Sequence, residues 1–297
     1  MLSLRVHGKA PPVDPPYDRL EQLEPGIAVV LAHNPSAFTY TGTQTYLVGS
    51  AEFAVIDPGP DDPTHIDAIV AAVGDRRIAA ILCTHTHRDH SPGARPLAQR
   101  TGAPVVGCAP LALESLGPGA DAAFDGAYSP DRVLGDEESI VIDRKPLVAV
   151  TTPGHTSNHL CFAWRDSLFT GDHVMGWSTT VVVPPDGDMA DYMRSLEKLR
   201  ERDDRIYYPA HGPPVTRPKQ YVRLLVGHRL QRERQVLRIV EESPASITAI
   251  VAAAYPELDP RLTGAAGASV LAHLLDLERR GAVQQLSEEG ETVWTIR

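Results

Sequence analysis

A chain of 297 residues with 42% hydrophobic residues and a formal net charge of −10 is long enough for one large domain, or a medium domain plus a small one. The acid excess excludes a protein that binds nucleic acid over its whole surface. From Lys219 onward, ten Lys/Arg meet ten Asp/Glu, so the excess lies entirely before that point.

No apolar run is long enough to cross a membrane, and the N-terminus has no signal-peptide core. The cysteines Cys83, Cys108 and Cys161 are scattered, each in an apolar stretch. They predict reduced, buried thiols in a cytoplasmic protein.

Residues 1–24 are Pro-rich and polar and predict an extended N-terminal arm. β-type runs begin at Ile27. Thr43–Val48 and Phe53–Ile56 read as strands joined at Gly49-Ser50, a hairpin signal. Asp57-Pro58-Gly59-Pro60 then turns the chain. Pro63–Val73 reads as a helix, because Ile66, Ile69, Val70 and Val73 recur at helical spacing. Ile78–Cys83 reads as a buried strand, Arg95–Thr101 as a helix and Pro104–Val106 as a strand. This alternation predicts α/β layering. Ala109–Gly135, rich in Gly, Ala, Asp and Pro, reads as an irregular insertion or lid. β runs resume at Ser139–Ile142, Leu147–Val150, Leu160–Trp164 and Ser167–Thr170. Met189–Arg200 is a helix and Arg205–Tyr208 a short strand.

After Gly212-Pro213-Pro214 the character changes. Tyr221–Glu241, Ser246–Ala254 and Ser269–Arg280 read as helices. Gly281-Ala282-Val283 and Thr292–Ile296 read as strands around a turn at Ser287–Gly290. Three helices and a hairpin are the order of a winged-helix module. The expected division is therefore an arm at 1–24, a catalytic domain at 25–217 and a winged-helix-like domain at 218–297.

Chemistry concentrates in Thr84–Pro92, which reads Thr-His-Thr-His-Arg-Asp-His-Ser-Pro. Four ligand-type side chains, His85, His87, Asp89 and His90, sit on a tight loop after a buried strand. Buried without partners, such a cluster would be costly. In an extended segment His85 and His87 point the same way and can bind one metal ion. Asp89 and His90 follow as the loop bends and can reach a second. Imidazole and carboxylate without thiolate suit zinc, and also manganese or iron. Later strand ends carry more donors, each beside a glycine: Gly154-His155, Gly171-Asp172 and His211-Gly212. Glycine lets the backbone bring each side chain in close.

In this order and spacing, Asp57, His85-Thr86-His87-Arg88-Asp89-His90, His155, Asp172 and His211 resemble the metallo-β-lactamase superfamily of metal-dependent hydrolases. The resemblance covers roughly residues 25–215. It implies a four-layer αββα sandwich with two metal ions, zinc first, at one edge of the paired sheets. By that resemblance His85, His87 and His155 hold the first ion, and Asp89, His90 and His211 the second. Asp172 bridges both, and Asp57 either supports the ligand loop or is a turn residue. The implied nucleophile is a hydroxide shared by the two ions, with Asp89 or Asp172 moving the proton. His159, His173, Ser178, Thr179, Tyr192 and His228 are further candidates for supporting the ligands or touching substrate.

The whole chain most resembles the lactamase-beta-like ribonucleases, which carry a winged-helix domain after the last metal histidine. Gly171-Asp172, Ser178-Thr179-Thr180, Asp191–Leu196, His211-Gly212-Pro213 and His228-Arg229 carry that resemblance. It implies cleavage of single-stranded RNA. Lys219, Arg223, Arg229, Arg232, Arg234 and Arg238, with Glu233 the only acid among them, could track a phosphate backbone or form a solvated helix face. The rival reading is a small thioester as substrate, as in glyoxalase II, which uses the same seven ligands. A third is a nucleic-acid-binding regulator with a vestigial metal site, although Ser269–Arg280 is a poor face for the major groove. No membrane partner is expected, and a homo-oligomer stays open.

Overall fold

The computed structural model describes residues 14–116, 120–288 and 291–297. The first thirteen residues of the expected arm, 117–119 of the expected insertion, and 289–290 of the expected hairpin turn lie outside the described residues. The chain sorts into two compact units. One runs up to Thr152 and adds Asn158–Ser178 and Asp203–Pro218. The other comprises Pro153–Ser157, Thr179–Arg202 and Lys219–Arg297.

The first unit is built on two sheets. The larger has seven strands in chain order: β1 (Leu20–Glu24), β2 (Ile27–Leu31), β3 (Gln44–Gly49), β4 (Glu52–Ile56), β5 (Arg77–Cys83), β6 (Val105–Gly107) and β7 (Arg132–Val133). Pairing is antiparallel from β1 to β4 and parallel from β4 to β7. The change falls where helices begin to connect the strands. Helix α1 (Pro63–Val73) links β4 to β5, and α2 (Ala94–Thr101) links β5 to β6. The α1 boundaries follow from its ends. Asp62 caps the first turn by accepting from the Thr64 amide, Pro63 opens it, and Gly74 ends it at φ 63°. Between β6 and β7 the regular structure is slight, chiefly the four-residue α3 (Ala120–Ala123).

The smaller sheet runs β12-β11-β10-β9-β8, from β8 (Ser139–Ile142), β9 (Lys145–Thr151), β10 (Leu160–Trp164), β11 (Ser167–Gly171) and β12 (Ile206–Pro209). The two sheets share one core. Tyr46 of β3 packs on Phe169 of β11 with ring centroids 5.0 Å apart, and Phe169 stacks on Tyr208 of β12. β10 and β11 are buried at every position, as expected for strands covered on both faces.

One part of the expected arm is strand: Leu20–Glu24 forms β1 and pairs with β2. Its side chains are exposed or half-buried, so this edge strand lacks the apolar alternation that would announce it.

The second unit contains α4 (Met189–Arg200), most of α5 (Pro218–Glu242), α6 (Ile247–Ala254), α7 (Thr263–Arg279) and the hairpin β13–β14 (Val283–Glu288, Glu291–Ile296). Val236, Val240, Ile250, Val270, Leu274, Leu277 and Trp294 form its core. Trp294 and Ala245 exchange both backbone hydrogen bonds. Helix α7 starts six residues before the expected Ser269. Gly264 and Gly267 read as breakers, but Ala265, Ala266 and Ala268 supply enough helix propensity to carry them. Segments 153–157 and 179–202 also cluster in this unit. Among the described residues no helix is long and apolar enough to cross a membrane.

Candidate metal centre

β5 delivers the ligand loop. Its last four residues are buried, and His85 and His90 just beyond it are fully buried. His85 Nε2 faces His87 Nδ1 at 2.9 Å. One donor atom each from His85, His87, His155 and Asp172 lie within 4.8 Å of one another. Asp89, His90 and His211 form a second group by the same measure. All seven sequence-expected ligands thus fall into two groups, with no donor missing as a vestigial site would have it.

Each of four rings is fixed through the nitrogen that does not face its group. Thr84 Oγ1 donates to Asp57 Oδ2 at 2.8 Å, so it accepts from His85 Nδ1 at 3.0 Å. His90 Nδ1 donates to Asp57 Oδ2 at 2.9 Å. His211 Nδ1 donates to the Gly42 carbonyl at 3.1 Å, and His155 Nδ1 to the Val181 carbonyl at 2.7 Å. In every case the Nδ1 bond fixes the ring plane, the arrangement that orients imidazole ligands.

Asp57 is central to this. It is buried, at φ 50°, and accepts from the Thr84 amide at 2.8 Å besides Thr84 Oγ1 and His90. A non-glycine residue in this region costs about 1–3 kcal/mol and persists where the surroundings hold it. Here Thr45 Oγ1 donates to the Asp57 carbonyl at 2.7 Å, and the Asp57 amide donates to Leu82 at 2.8 Å.

Asp172 touches both groups. It belongs to the first, and its Oδ1 lies 3.2 Å from His211 Nε2 and 3.5 Å from His90 Nε2 of the second. Asp89 Oδ2 is 3.1 Å from His211 Nε2 and 3.3 Å from His90 Nε2. Burial pushes the Asp172 carboxyl up, but the His211 and His90 rings overcome this and hold it well below the usual range. Asp89 is held low in the same way by His90 and His211. Burial presses His211 down, yet Asp172 and Asp89 hold it up at about 10. His90 Nε2 is buried and has no hydrogen-bond partner among the described residues, although Asp89 and Asp172 stand beside it. A cation at that point answers both facts, and a nitrogen/oxygen donor set fits zinc, manganese or iron.

The remaining candidates separate. His159 is buried; its Nε2 accepts from the Asp172 amide at 3.2 Å, so Nδ1 donates to Thr152 Oγ1 at 2.8 Å. It positions Asp172 from behind. Gly171 is required there, because a Cβ would meet His159 Nε2 at 2.7 Å and Thr84 Oγ1 at 2.8 Å. His173 is buried next to Asp172, with its ring centroid 5.8 Å from that of His159. Ser178 and Thr179 are half-buried. The Tyr192 ring is fully buried, which leaves it a supporting place and no substrate face. His228 lies in the second unit, where its Nε2 accepts from Arg232 Nε at 3.4 Å. Sequence reading passed over Thr84, Thr152 and the carbonyls of Gly42 and Val181. Thr84 could have been found from its place directly before His85; a backbone carbonyl leaves no mark in sequence.

Fold and site together define a metal-dependent hydrolase. Residues 39–211 match the family described as "Metallo-beta-lactamase superfamily", and residues 246–294 match "Beta-lactamase associated winged helix domain". The chain belongs to the metallo-beta-lactamase superfamily, with a C-terminal winged-helix domain. It is 34% identical over 237 residues to an atrochrysone carboxyl ACP thioesterase of Aspergillus chevalieri, covering 77% of this chain and 70% of that one. It is 30% identical over 229 residues to the beta-lactamase-like protein 2 homolog of Caenorhabditis elegans, covering 75% and 74%. The fold is shared with a beta-lactamase domain protein from Burkholderia ambifaria, at a TM-score of 0.79 and 20% identity over 96% of this chain and 95% of that one.

Proposed function

We propose that this chain is a dinuclear metal-dependent hydrolase of thioesters, removing an acyl group from a carrier thiol. The observation that carries the hydrolytic part is Asp172, which groups with His85, His87 and His155 while its Oδ1 approaches His90 and His211. Two metal ions held by these donors would lower the pKa of a water toward neutrality and polarise the carbonyl oxygen under attack. The protein's own part is to fix the donors and move protons. Asp89, a half-buried carboxylate, would take a proton from the attacking water and pass it to the leaving thiolate. The free cysteines offer no competing nucleophile. All three are buried, and burial pushes the Cys108 thiol up to about 12. The thioester class is supported by the identity to the ACP thioesterase.

Single-stranded RNA is the second reading, favoured by Lys219, Arg223, Arg234 and Arg238. These are exposed on α5 and fall within about 100° around a helix of 3.6 residues per turn. The basic helix is weaker than its sequence suggests, because two of its six cations work inside the fold. Arg229 is buried and donates to the Thr180 carbonyl. Arg232 donates to Gln235 and to the Ala254 carbonyl at the end of α6, and lies over Tyr255.

The test offers metal-loaded protein an acyl-pantetheine thioester, with thiol release read colorimetrically, and a labelled single-stranded RNA. Thiol release with intact RNA is expected. RNA cleavage without thiol release overturns the thioester reading and supports the second.

A further inference from the structure

We infer that Arg229, on the long helix α5, is a positioning residue for the metal ligand His155. The inference rests on the dinuclear reading of the site and is independent of the substrate. His155 sits on the short segment Pro153–Ser157, between β9 and β10, and its ring is fixed by the Val181 carbonyl at 2.7 Å. Two supports hold that arrangement, and Arg229 touches both.

The first support is the segment that supplies the carbonyl. Arg229 is only 4% exposed, and its guanidinium donates to the carbonyl of Thr180, the residue directly before Val181. Moving Thr180 moves Val181, and with it the acceptor that sets the His155 tautomer and ring plane. The second support is α4. The Arg229 guanidinium carbon lies 5.0 Å from the centroid of the Tyr192 ring. Gly154, directly before His155, runs against the Tyr192 backbone so closely that a Cβ there would meet Tyr192 Cα at 2.3 Å. Gly154 and α4 are also joined through Asp188, whose amide donates to the Gly154 carbonyl at 2.9 Å. Ser195 Oγ, also on α4, donates to the Pro153 carbonyl at 2.8 Å. A planar guanidinium can bind a carbonyl at its edge while its face covers an aromatic ring; a lysine ammonium cannot do both.

The other metal group has no such dependence. His90 is held by Asp57, and His211 by the Gly42 carbonyl. Loss of Arg229 should therefore act on the two ions unequally.

The experiment is a zinc titration of metal-free full-length wild type, Arg229→Gln and Arg229→Lys, followed by calorimetry, with His155→Ala as the benchmark for losing the first ion. Thermal unfolding of each metal-free protein serves as the folding control. Wild type should take up two ions; if it takes up fewer, the dinuclear reading fails, whatever the variants do. Given two, Arg229→Gln should weaken one ion by about 10–100-fold, the usual effect of removing a ligand's support, and leave the other unchanged. Arg229→Lys should fall between Gln and wild type. A purely structural residue would weaken both ions together, and that outcome overturns the inference, as does a wild-type titration in folded Arg229→Gln. Should Arg229→Gln not fold, Arg229→Lys decides: a loss confined to one ion supports the inference and a wild-type titration overturns it.

Discussion

Two pairs of histidines in this chain have opposite surroundings. His90 and His211 stand among Asp57, Asp89 and Asp172. The carboxylates outweigh burial and hold His211 up at about 10. His228 and His273 lie in the second unit among arginines. Burial presses them down, Arg229 adds to it, and they fall to about 4 and about 3. Neither ring nitrogen of His273 has a hydrogen-bond partner among the described residues. His273 is as buried as His90 and His211, and His228 is half-buried, so burial alone does not separate the pairs. The carboxylate neighbours do, because they collect negative charge that a metal ion would neutralise.

Removing that charge should have the largest effect. Asp172→Ala takes a donor from the first group and, from beside the second, the carboxylate oxygen 3.2 Å from His211 Nε2 and 3.5 Å from His90 Nε2. Loss of most bound metal and at least about 10³-fold of turnover is expected, on the scale of removing a group the transition state depends on. Metal analysis and a thiol-release assay on one preparation check it. Full turnover by this variant would break the comparison at its base.

Weakening the support around the carboxylates should cost less. Asp57→Asn keeps the acceptor for the Thr84 amide but loses the negative charge beside His90. A drop of about 10–100-fold in metal affinity is expected, read in a competition with a chelating dye. An unchanged affinity would make Asp57 a turn residue only.

A pH series on the metal-free protein sharpens the contrast further. The folded-state pKa of His211 lies above the ordinary value of about 6.5. Its charged pairs with Asp89 and Asp172 therefore contribute stability that is fully present below about 6.5 and lost as the pH rises through about 10. The melting temperature of metal-free wild type should fall across that window, and that of metal-free His211→Gln should fall less. Equal slopes would show that the ring is neutral when folded.

The smallest effect should come from the other pair. His273 is buried beside the core of α7, where Val270, Leu274 and Leu277 lie. Replacing an unpartnered buried polar group by an apolar one of similar size is close to neutral or stabilising. His273→Leu should melt within about 1 kcal/mol of wild type and bind metal equally well. A loss of metal would join His273 to the centre.

How much of this was legible follows from what each feature asks of sequence. The ligand loop was, because four donors in six residues after an apolar strand have few other uses. α1 was legible to the residue, since its cap, its proline and its glycine are all local. β1 was hidden, since an exposed edge strand needs no alternation. The two groups of donors follow from long-range pairing that spacing does not encode, although the order of the motifs made them recognisable by resemblance. Arg229 was visible only as one cation in a basic run. Its partners Thr180 and Tyr192 are 49 and 37 residues away in sequence, and no local pattern joins them.

The central claim is that seven side chains hold two metal ions joined through Asp172. Its most direct test is the metal content of purified wild type and Asp172→Ala after identical reconstitution with zinc and removal of loose ions. Close to two ions per wild-type chain, and a simultaneous loss from both groups in the variant, is the expected result. One ion per wild-type chain with full activity, or a variant that keeps both ions, would contradict it.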